Sequence, residues 1–260
     1  MLSIIIPSYK DPLLQKTIDS LLANAEGEIE IIAILDGYWP EIPLKDDPRL
    51  RILYLGQNQG MRGAINAGVA VARGEYLMRT DEHCIFAKGY DVILTKDCEH
   101  DWIVTPRRYF LDAIKWEVMD LPYVDHEKLI VTRGERKKFS GHRWPERDEE
   151  RKEIMIDEKM AMQGSCWVMK KSWWDRVIVE LQSEGYGTHY QDSIEMIFKT
   201  WKAGGKLMLN KNTWYAHKHR SFPRTHNYGG ELADASFKYG LDTWGEYYKK
   251  VIKPRWQTSQ

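Results

Sequence analysis

The tripeptide Asp81-Glu82-His83 combines residue types and a spacing that suit metal binding. In an extended turn, residues i and i+2 face the same side, so the carboxylate of Asp81 and the imidazole of His83 can hold one cation. This ligand pair suits Mn²⁺, with Mg²⁺ as the alternative, and a bound cation would neutralise a diphosphate leaving group. A polar turn after a strand has the same composition, so the tripeptide alone leaves both interpretations open.

Asp192 and Glu195 are the candidates for acid–base chemistry. Their spacing of i and i+3 places both carboxylates on one face at the start of a predicted helix. One of them could act as a general base or orient an acceptor hydroxyl, and we predict both as catalytic residues. Acidic residues are also common at helix N-termini, where they interact favourably with the helix dipole. The spacing alone does not decide between the two roles.

His217 and Arg220 follow a predicted strand late in the chain. A third ligand from this region would complete a metal site with Asp81 and His83, and the guanidinium of Arg220 could bind phosphate oxygens. A solvated basic turn would have the same sequence, so spacing does not assign His217 as a ligand.

Asp36 and Arg62 are candidates for contact with a nucleotide. Asp36 ends the second predicted strand, where its carboxylate could accept hydrogen bonds from a base or a ribose, or form an Asx turn. Arg62 lies near the start of the second predicted helix. There it could approach a phosphate or the Asp81 region, or lie on the surface.

The elements that position these residues alternate between strands and helices over the first part of the chain. Apolar runs predict strands at 2–6, 30–35, 51–55 and 75–79, and helical spacing predicts helices at 11–25 and 60–72. This order is typical of an α/β fold with a mainly parallel central sheet flanked by helices. Ligands bind at the carboxyl ends of such strands, so Ser8, Asp36 and Asp81 would line one crevice.

The rest of the chain is predicted to be irregular at first and then ordered. Residues 107–159 contain a charge run and a stretch rich in Pro, Arg and Glu, and we predict an acceptor-side insertion or a mobile loop. The following predicted elements are helices at 172–183, 192–203 and 231–248 and strands at 206–209 and 213–217. We therefore divide the chain into one domain over 1–230 and a C-terminal helical tail over 231–260.

Composition sets limits on compartment and partners. The 260 residues have a net charge of zero, with 43% hydrophobic and 29% charged residues, which gives no global argument for binding nucleic acid or a membrane surface. No apolar stretch approaches the ~18 residues needed to span a bilayer. The three cysteines are widely spaced and no secretory leader is recognisable, so we expect a soluble cytoplasmic protein without a membrane span. Its oligomeric state does not follow from composition.

Five motifs in order resemble the family 2-like glycosyltransferases of the GT-A fold. They are Ser3 to Tyr9, Leu35-Asp36-Gly37, Asn58 to Gly68, Ala72 to Tyr76 and Asp81-Glu82-His83. The resemblance covers about residues 1–106 and 160–220. It implies the GT-A nucleotide-diphospho-sugar transferase fold, a UDP-sugar donor and Mn²⁺. It also implies that Pro7, Ser8 and Tyr9 form a nucleotide-binding turn and hold uridine together with Asp36.

The Asp-x-His form of the metal motif is similar to the polypeptide N-acetylgalactosaminyltransferase branch of these enzymes. Further segments resemble that branch: a small-residue loop near the sugar, an acidic helix and a His-x-x-Arg motif, at 162–167, 192–195 and 217–220. The resemblance implies that His217 is the third metal ligand and that Asp81 and Arg220 lie at the donor. Asp192 or Glu195 would then contact the acceptor or the donor sugar.

These features predict a metal-dependent, hexosyltransferase-like glycosyltransferase that uses a UDP-sugar. The chain shows neither the secretory anchor nor the C-terminal lectin module of that branch. We therefore expect a cytosolic acceptor, either a glycan, a protein or a modified nucleic acid. The branch resemblance favours retention of the anomeric configuration, whereas a base at Asp192 would favour inversion.

Two other classes of protein are the alternatives. A nucleotidyltransferase acting on a sugar phosphate would need a Gly-rich, basic loop after the first strand, which Ile6 to Lys10 does not provide. A non-catalytic sugar- or nucleic-acid-binding module could use the aromatic, basic stretch at 214–228 to stack bases and bind phosphates. The presence of Asp81, Asp192 and the two histidines argues against a module without catalysis.

Overall fold

The computed structural model describes residues 1–219 and 230–257. Within them the strands are β1 Leu2–Ser8, β2 Ile29–Asp36, β3 Leu50–Leu55, β4 Tyr76–Thr80, β5 Cys84–Phe86, β6 Trp102–Asp112, β7 Glu117–Val118, β8 Glu127–Val131, β9 Phe139–Arg143, β10 Ile156–Glu158, β11 Cys166–Lys170 and β12 Lys206–His217. The helices are α1 Leu14–Asn24, α2 Gly60–Val71, α3 Tyr90–Lys96, α4 Pro145–Glu150, α5 Lys171–Trp173, α6 Asp192–Lys202, α7 Glu231–Tyr247 and α8 Lys253–Gln257.

A large mixed sheet has the strand order β10-β12-β6-β11-β4-β1-β2-β3. β1 pairs in parallel with β2 and β4, β2 with β3, and β6 with β12. β11 is antiparallel to both β4 and β6, so these two strands run the same way. Six strands therefore share one direction, as predicted for a mainly parallel sheet. The carboxyl ends of β1, β2, β4 and β12 consequently lie along one edge.

Helices cover both faces of this sheet. Residues of β1 alternate between two buried clusters, with Ile4 and Ile6 in one and Ile5 in the other. α1 and α3 belong to the first cluster, and α2, α6 and α7 contribute to the second. Because both faces of β1 and β2 are buried, the runs 4–6 and 31–35 are continuously apolar.

The segment 107–159 contains more regular structure than its sequence indicated. It continues β6, forms the two-stranded β8–β9 sheet and the short α4, and returns to the large sheet through β10. The charge run at 132–138 is the connection between β8 and β9, whereas Leu129, Phe139 and Trp144 are buried in the core. The acceptor-side role of this segment stays a prediction.

Two predicted elements differ from the structure. The helix predicted at 172–183 ends early, as α5 followed by a π-helical turn over Trp174–Ile178, because Val179 adopts a positive φ of 62°. The strands predicted at 206–209 and 213–217 form the single strand β12, with a register shift between Asn210 and Trp214. The spacing of apolar residues predicts neither the early end of this helix nor the register shift in β12.

The C-terminal segment packs against the sheet domain through aromatic side chains. Trp244, Tyr248, Ile252 and Trp256 are buried in the same cluster as α2 and α6. The tail thus shares its core with the sheet domain, and the predicted division of the chain at residue 230 stays a prediction. Among the described residues no helix is long and apolar enough to cross a membrane, and the three cysteines are buried and free.

Candidate metal and donor site

Asp81, His83 and His217 converge at the carboxyl edge of the sheet. Asp81 follows β4, His83 precedes β5 and His217 ends β12. His217 Nε2 lies 3.0 Å from Asp81 Oδ2 and 3.1 Å from His83 Nε2, and His83 Nε2 lies 3.7 Å from Asp81 Oδ2. Two ligands about 2.1 Å from one ion and at right angles lie about 3 Å apart, so the three atoms fit a single divalent cation.

The protonation of these groups also fits a cation. Burial lowers the pKa of His217 to about 4 despite its hydrogen bond to Asp81, so the ring is neutral and can offer a lone pair. Burial opposes ionisation of Asp81, but the guanidinium of Arg79 and the imidazole of His217 hold its pKa well below the usual range. The two imidazole nitrogens repel each other unless a proton or a cation lies between them.

Asp11 lies behind His83 in this group, which we call the metal centre as the candidate site for a cation. Its Oδ2 lies 3.0 Å from His83 Nδ1, and both side chains are buried. Carboxylates in this position orient a ligand imidazole and fix its tautomer. The helix predicted from residue 11 begins only at Leu14, and the other oxygen of Asp11 accepts from the Leu13 N–H at 2.8 Å.

A second group of potential ligands adjoins the first. Asp11, Glu82 and His83 also bring one ligand atom each within a few ångströms. All three are buried, whereas the side chain of Asp81 is 16% exposed. Of the two groups, the one that contains Asp81 is therefore the more exposed.

Asp192 lies at the start of α6, beside Gly164. A Cβ atom at Gly164 would lie 3.0 Å from Asp192 Oδ2, so a side chain there would press on this carboxylate. Asp192 also contributes to the raised pKa of Arg79, which places its negative charge near the base of the metal centre. Asp192 and Asp81 thus both lie near Arg79, and the catalytic role of Asp192 stays a prediction.

Glu195 and Arg62 lie elsewhere and form a buried ion pair. Both side chains are at most 1% exposed, and Glu195 also pairs with Lys199 Nζ at 2.7 Å. Arg62 donates to the carbonyls of Gln182 and Tyr190. These side chains hold the segment before α6, since Arg62 binds the carbonyls of that segment and Glu195 accepts from the Gln182 N–H. Their predicted contacts with a phosphate, an acceptor or a donor sugar stay predictions.

Asp36 is also occupied by the protein itself. Its carboxylate accepts hydrogen bonds from the Gln59 N–H at 2.6 Å, the Gly60 N–H at 2.9 Å and the Asn58 side chain at 2.9 Å. It is 3% exposed and caps the start of α2. These donors fix the orientation of the carboxylate, and the predicted contact of Asp36 with a base or ribose stays a prediction.

The predicted nucleotide turn ends β1 beside the metal centre. Pro7 is buried in the strand, and the Ser8 hydroxyl lies 2.5 Å from the Tyr38 hydroxyl, whose pKa burial raises to about 12. The Tyr9 N–H donates to Glu82 at 3.4 Å. A groove of 830 Å³ adjoins this turn, and its lining includes Lys10, Asp11, Tyr38, Trp39, Ile42 and Lys45.

Arg108 connects the segment 107–159 to this site. Its guanidinium donates to His219 Nε2 at 3.0 Å and to Glu127 at 3.2 Å. His219 lies two residues after His217, so this pair forms a further wall next to the metal centre. Arg220, predicted to bind phosphate, lies outside the described residues.

Comparison with known proteins places these residues in a family. The sequence profile described as glycosyl transferase family 2 matches residues 3–176, more than half of the chain. The chain belongs to glycosyl transferase family 2. The match includes the nucleotide turn, Asp36 and two of the three metal-ligand candidates, and it ends before His217.

Curated relatives of this family 2 chain include two mouse proteins. Polypeptide N-acetylgalactosaminyltransferase 12 is 23% identical over 97% of this chain and 45% of its own length. Polypeptide N-acetylgalactosaminyltransferase 4 is 23% identical over 95% of this chain and 44% of its own length. The chain thus spans less than half the length of these relatives, and the predicted resemblance to their branch is confirmed.

A solved structure establishes the fold of the family 2 chain. The crystal structure of GalNAc-T7 with UDP, GalNAc and Mn²⁺ superposes with a TM-score of 0.75 and 17% identity, covering 97% of this chain and 50% of that one. The predicted GT-A fold is therefore confirmed.

Sequence reasoning missed Arg79 and the role of Asp11. Arg79 donates to Asp81 Oδ1 at 2.6 Å from within β4. Its signal was visible: a lone charge inside the run Tyr76-Leu77-Met78-Arg79-Thr80, where a buried arginine needs a partner. The pairing of Asp11 with His83 had no such signal, because 72 residues separate them.

Proposed function

We propose that the chain is a metal-dependent glycosyltransferase that moves a sugar from a UDP-sugar to an acceptor. The observation that carries this proposal is the convergence of Asp81, His83 and His217 on one point, beside Asp192 and Gly164. The GT-A fold it shares with a protein crystallised with UDP, GalNAc and Mn²⁺ supports it. Mn²⁺ is the proposed ion, because one carboxylate and two imidazoles form a mixed oxygen and nitrogen ligand set.

The residues of the site divide the proposed work among them. A bound ion would act as a Lewis acid that neutralises the departing diphosphate. Asp11 holds the His83 ring, and Arg79 holds the Asp81 carboxylate. Pro7, Ser8 and Tyr9 would lie along the nucleotide.

Asp192 would contact the donor sugar or an acceptor hydroxyl. Asp192 lies against Gly164 and is partly exposed, whereas Glu195 is buried. Of the two predicted acids, we therefore retain Asp192 alone. Retention remains the favoured stereochemical outcome from the Asp-x-His motif, and an Asp192 base would instead support inversion.

The acceptor is proposed only by class. A glycan, a protein or a modified nucleic acid in the cytoplasm would fit an open crevice flanked by the segment 107–159. Arg108 and Glu127 of that segment form a buried ion pair beside His219, so they would shape this side of the site rather than offer free groups to the acceptor.

A donor panel tests this function. We would measure UDP release from several UDP-sugars with and without Mn²⁺, comparing the native chain with Asp81→Ala. Asp175→Ala serves as control, since this exposed carboxylate pairs only with Lys171 in the described contacts. We expect release that needs Mn²⁺ and is lost in Asp81→Ala alone. Metal-independent release, or pyrophosphate formation from UTP and a sugar phosphate, would reject the proposal.

A further inference from the structure

Arg79 is a buried cation in the strand that leads to the metal centre. It lies on β4, and its side chain is 3% exposed. Its Nη2 donates to Asp81 Oδ1 at 2.6 Å and lies 3.0 Å from the sulfur of Met61, and its Nη1 donates to the carbonyl of Gly164. One guanidinium therefore connects the ligand carboxylate, the loop before β11 and the start of α2.

The two oxygens of Asp81 consequently have different partners. Oδ1 is bound to Arg79, whereas Oδ2 faces His217 Nε2 at 3.0 Å and His83 Nε2 at 3.7 Å. If the carboxylate turned to present both oxygens to an ion, it would leave a buried guanidinium without its charged partner. That arrangement is strongly unfavourable, because removing one member of a buried pair leaves an uncompensated charge.

The contacts of the Arg79 guanidinium agree with this division, because both of its Nη atoms are engaged. Its Nε atom is buried without a hydrogen-bond partner among the described residues, so the group is held by its two Nη atoms.

We propose that Arg79 is a positioning residue that restricts Asp81 to one metal-ligating oxygen and thereby favours a small cation over Ca²⁺. This inference rests on the proposed metal-dependent function. Mn²⁺ and Mg²⁺ prefer six ligands at short distances, whereas Ca²⁺ takes six to eight oxygens and readily accepts a bidentate carboxylate. A carboxylate limited to one oxygen disfavours the larger ion.

The test compares metal affinity in Arg79→Met and Arg79→Lys. Mn²⁺ binding is followed by electron paramagnetic resonance in the presence of UDP, and Ca²⁺ binding by competition. We expect Mn²⁺ affinity to fall about 10- to 100-fold in Arg79→Met, the range seen when partners behind a metal ligand are removed. Ca²⁺ should lose less affinity, so that the preference for Mn²⁺ falls about tenfold or more. Arg79→Lys should lie between, because an ammonium keeps the charge without the fork.

A matched variant separates positioning from general destabilisation. Arg151→Met removes another arginine with two hydrogen bonds to a carboxylate, Asp157, at 2.9 and 2.8 Å. It should lower the melting temperature without changing the preference for Mn²⁺ over Ca²⁺. If Arg79→Met does not fold, Arg79→Lys supplies the same comparison.

The outcomes distinguish a failure of this inference from a failure of the proposed metal-dependent function. If the native chain binds no Mn²⁺, the metal-dependent function fails. If the native chain binds Mn²⁺ and both Arg79 variants keep its affinity and its preference over Ca²⁺, the positioning role alone is overturned. A change in preference shared equally by Arg151→Met would also overturn it.

Discussion

The protein contains two clusters of histidine and aspartate that differ in what their atoms face. In the metal centre, His83 Nε2 and His217 Nε2 face each other at 3.1 Å, with Asp81 beside them. In the second cluster, the fully buried His126 lies between two carboxylates, with Nδ1 2.9 Å from Asp148 and Nε2 3.1 Å from Asp157. We call this second group the His126 cluster.

The difference lies in direction rather than in residue type. Each ring nitrogen of His126 has its own acceptor, and Asp157 also binds Arg151. In the metal centre the ligand atoms converge on a shared point, and His217 Nδ1 is buried without a hydrogen-bond partner among the described residues. A satisfied cluster stabilises the fold, whereas a convergent one leaves room for an ion.

The largest expected effect is that of His217→Ala on catalysis. Loss of this ligand should reduce Mn²⁺-dependent UDP release about a thousandfold, because a metal supplies several kcal/mol of transition-state stabilisation. Thermal unfolding should change little in the absence of metal. Steady-state rates at increasing Mn²⁺ measure the effect, and a rate within tenfold of the native one would remove His217 from the ligand set.

His126→Leu should have the opposite profile. It breaks a buried network and leaves Asp148 and Asp157 without the shared ring, so the free energy of unfolding should fall by about 3 kcal/mol. The Mn²⁺ affinity of the folded protein should remain unchanged. Urea denaturation and metal titration provide the two readings, and a loss of metal affinity would show that the two clusters are not independent.

Asp11→Asn is expected to have an intermediate effect. The amide keeps the shape but not the charge behind His83, so Mn²⁺ affinity should fall about 10- to 100-fold. Asp148→Asn makes the same change behind His126 and should leave Mn²⁺ affinity as it was. Titration of both variants with Mn²⁺ measures the two affinities. If Asp11→Asn bound Mn²⁺ as tightly as Asp148→Asn, Asp11 would not act through His83.

The smallest effect concerns acid stability. Burial opposes ionisation of Asp157, but Arg151 and His126 together hold its pKa far below the usual value. Its contribution to stability is therefore complete above the unfolded pKa of about 3.9 and is lost as the pH falls toward the folded value. Asp157→Asn should flatten the fall in unfolding free energy below about pH 4. An unchanged slope would assign the acid sensitivity to other carboxylates.

The sequence predicted the fold well where the period of the chain is regular. β1, β2, β4, α1 and α2 follow apolar patterns, and their order alone placed Asp81 at the correct edge. The strands β7 to β10 of the segment 107–159 were not predicted, because they have only two to five residues each and no sustained apolar period. β10 pairs with β12 some fifty residues later.

The site residues were also predicted unequally from the sequence. The metal-ligand candidates carried a motif, and the structure brings them together. Arg62, Asp36 and Glu195 also lay at suggestive positions, yet each is bound to backbone or to another buried charge. Nothing local distinguishes a carboxylate that faces a crevice from one that caps a helix, since the partners are supplied by tertiary contacts.

The position of β12 in the chain has a consequence for synthesis. Asp81 and His217 are 136 residues apart, and they meet only after β12 has paired with β6. A ribosome-bound chain that has emerged through residue 176 would contain every residue matched by the family profile, yet only two of the three ligands. A metal binds tightly only to a preformed ligand set, so the growing chain would not bind the ion until β12, its last strand, is in place. Binding of the ion would therefore mark completion of the sheet.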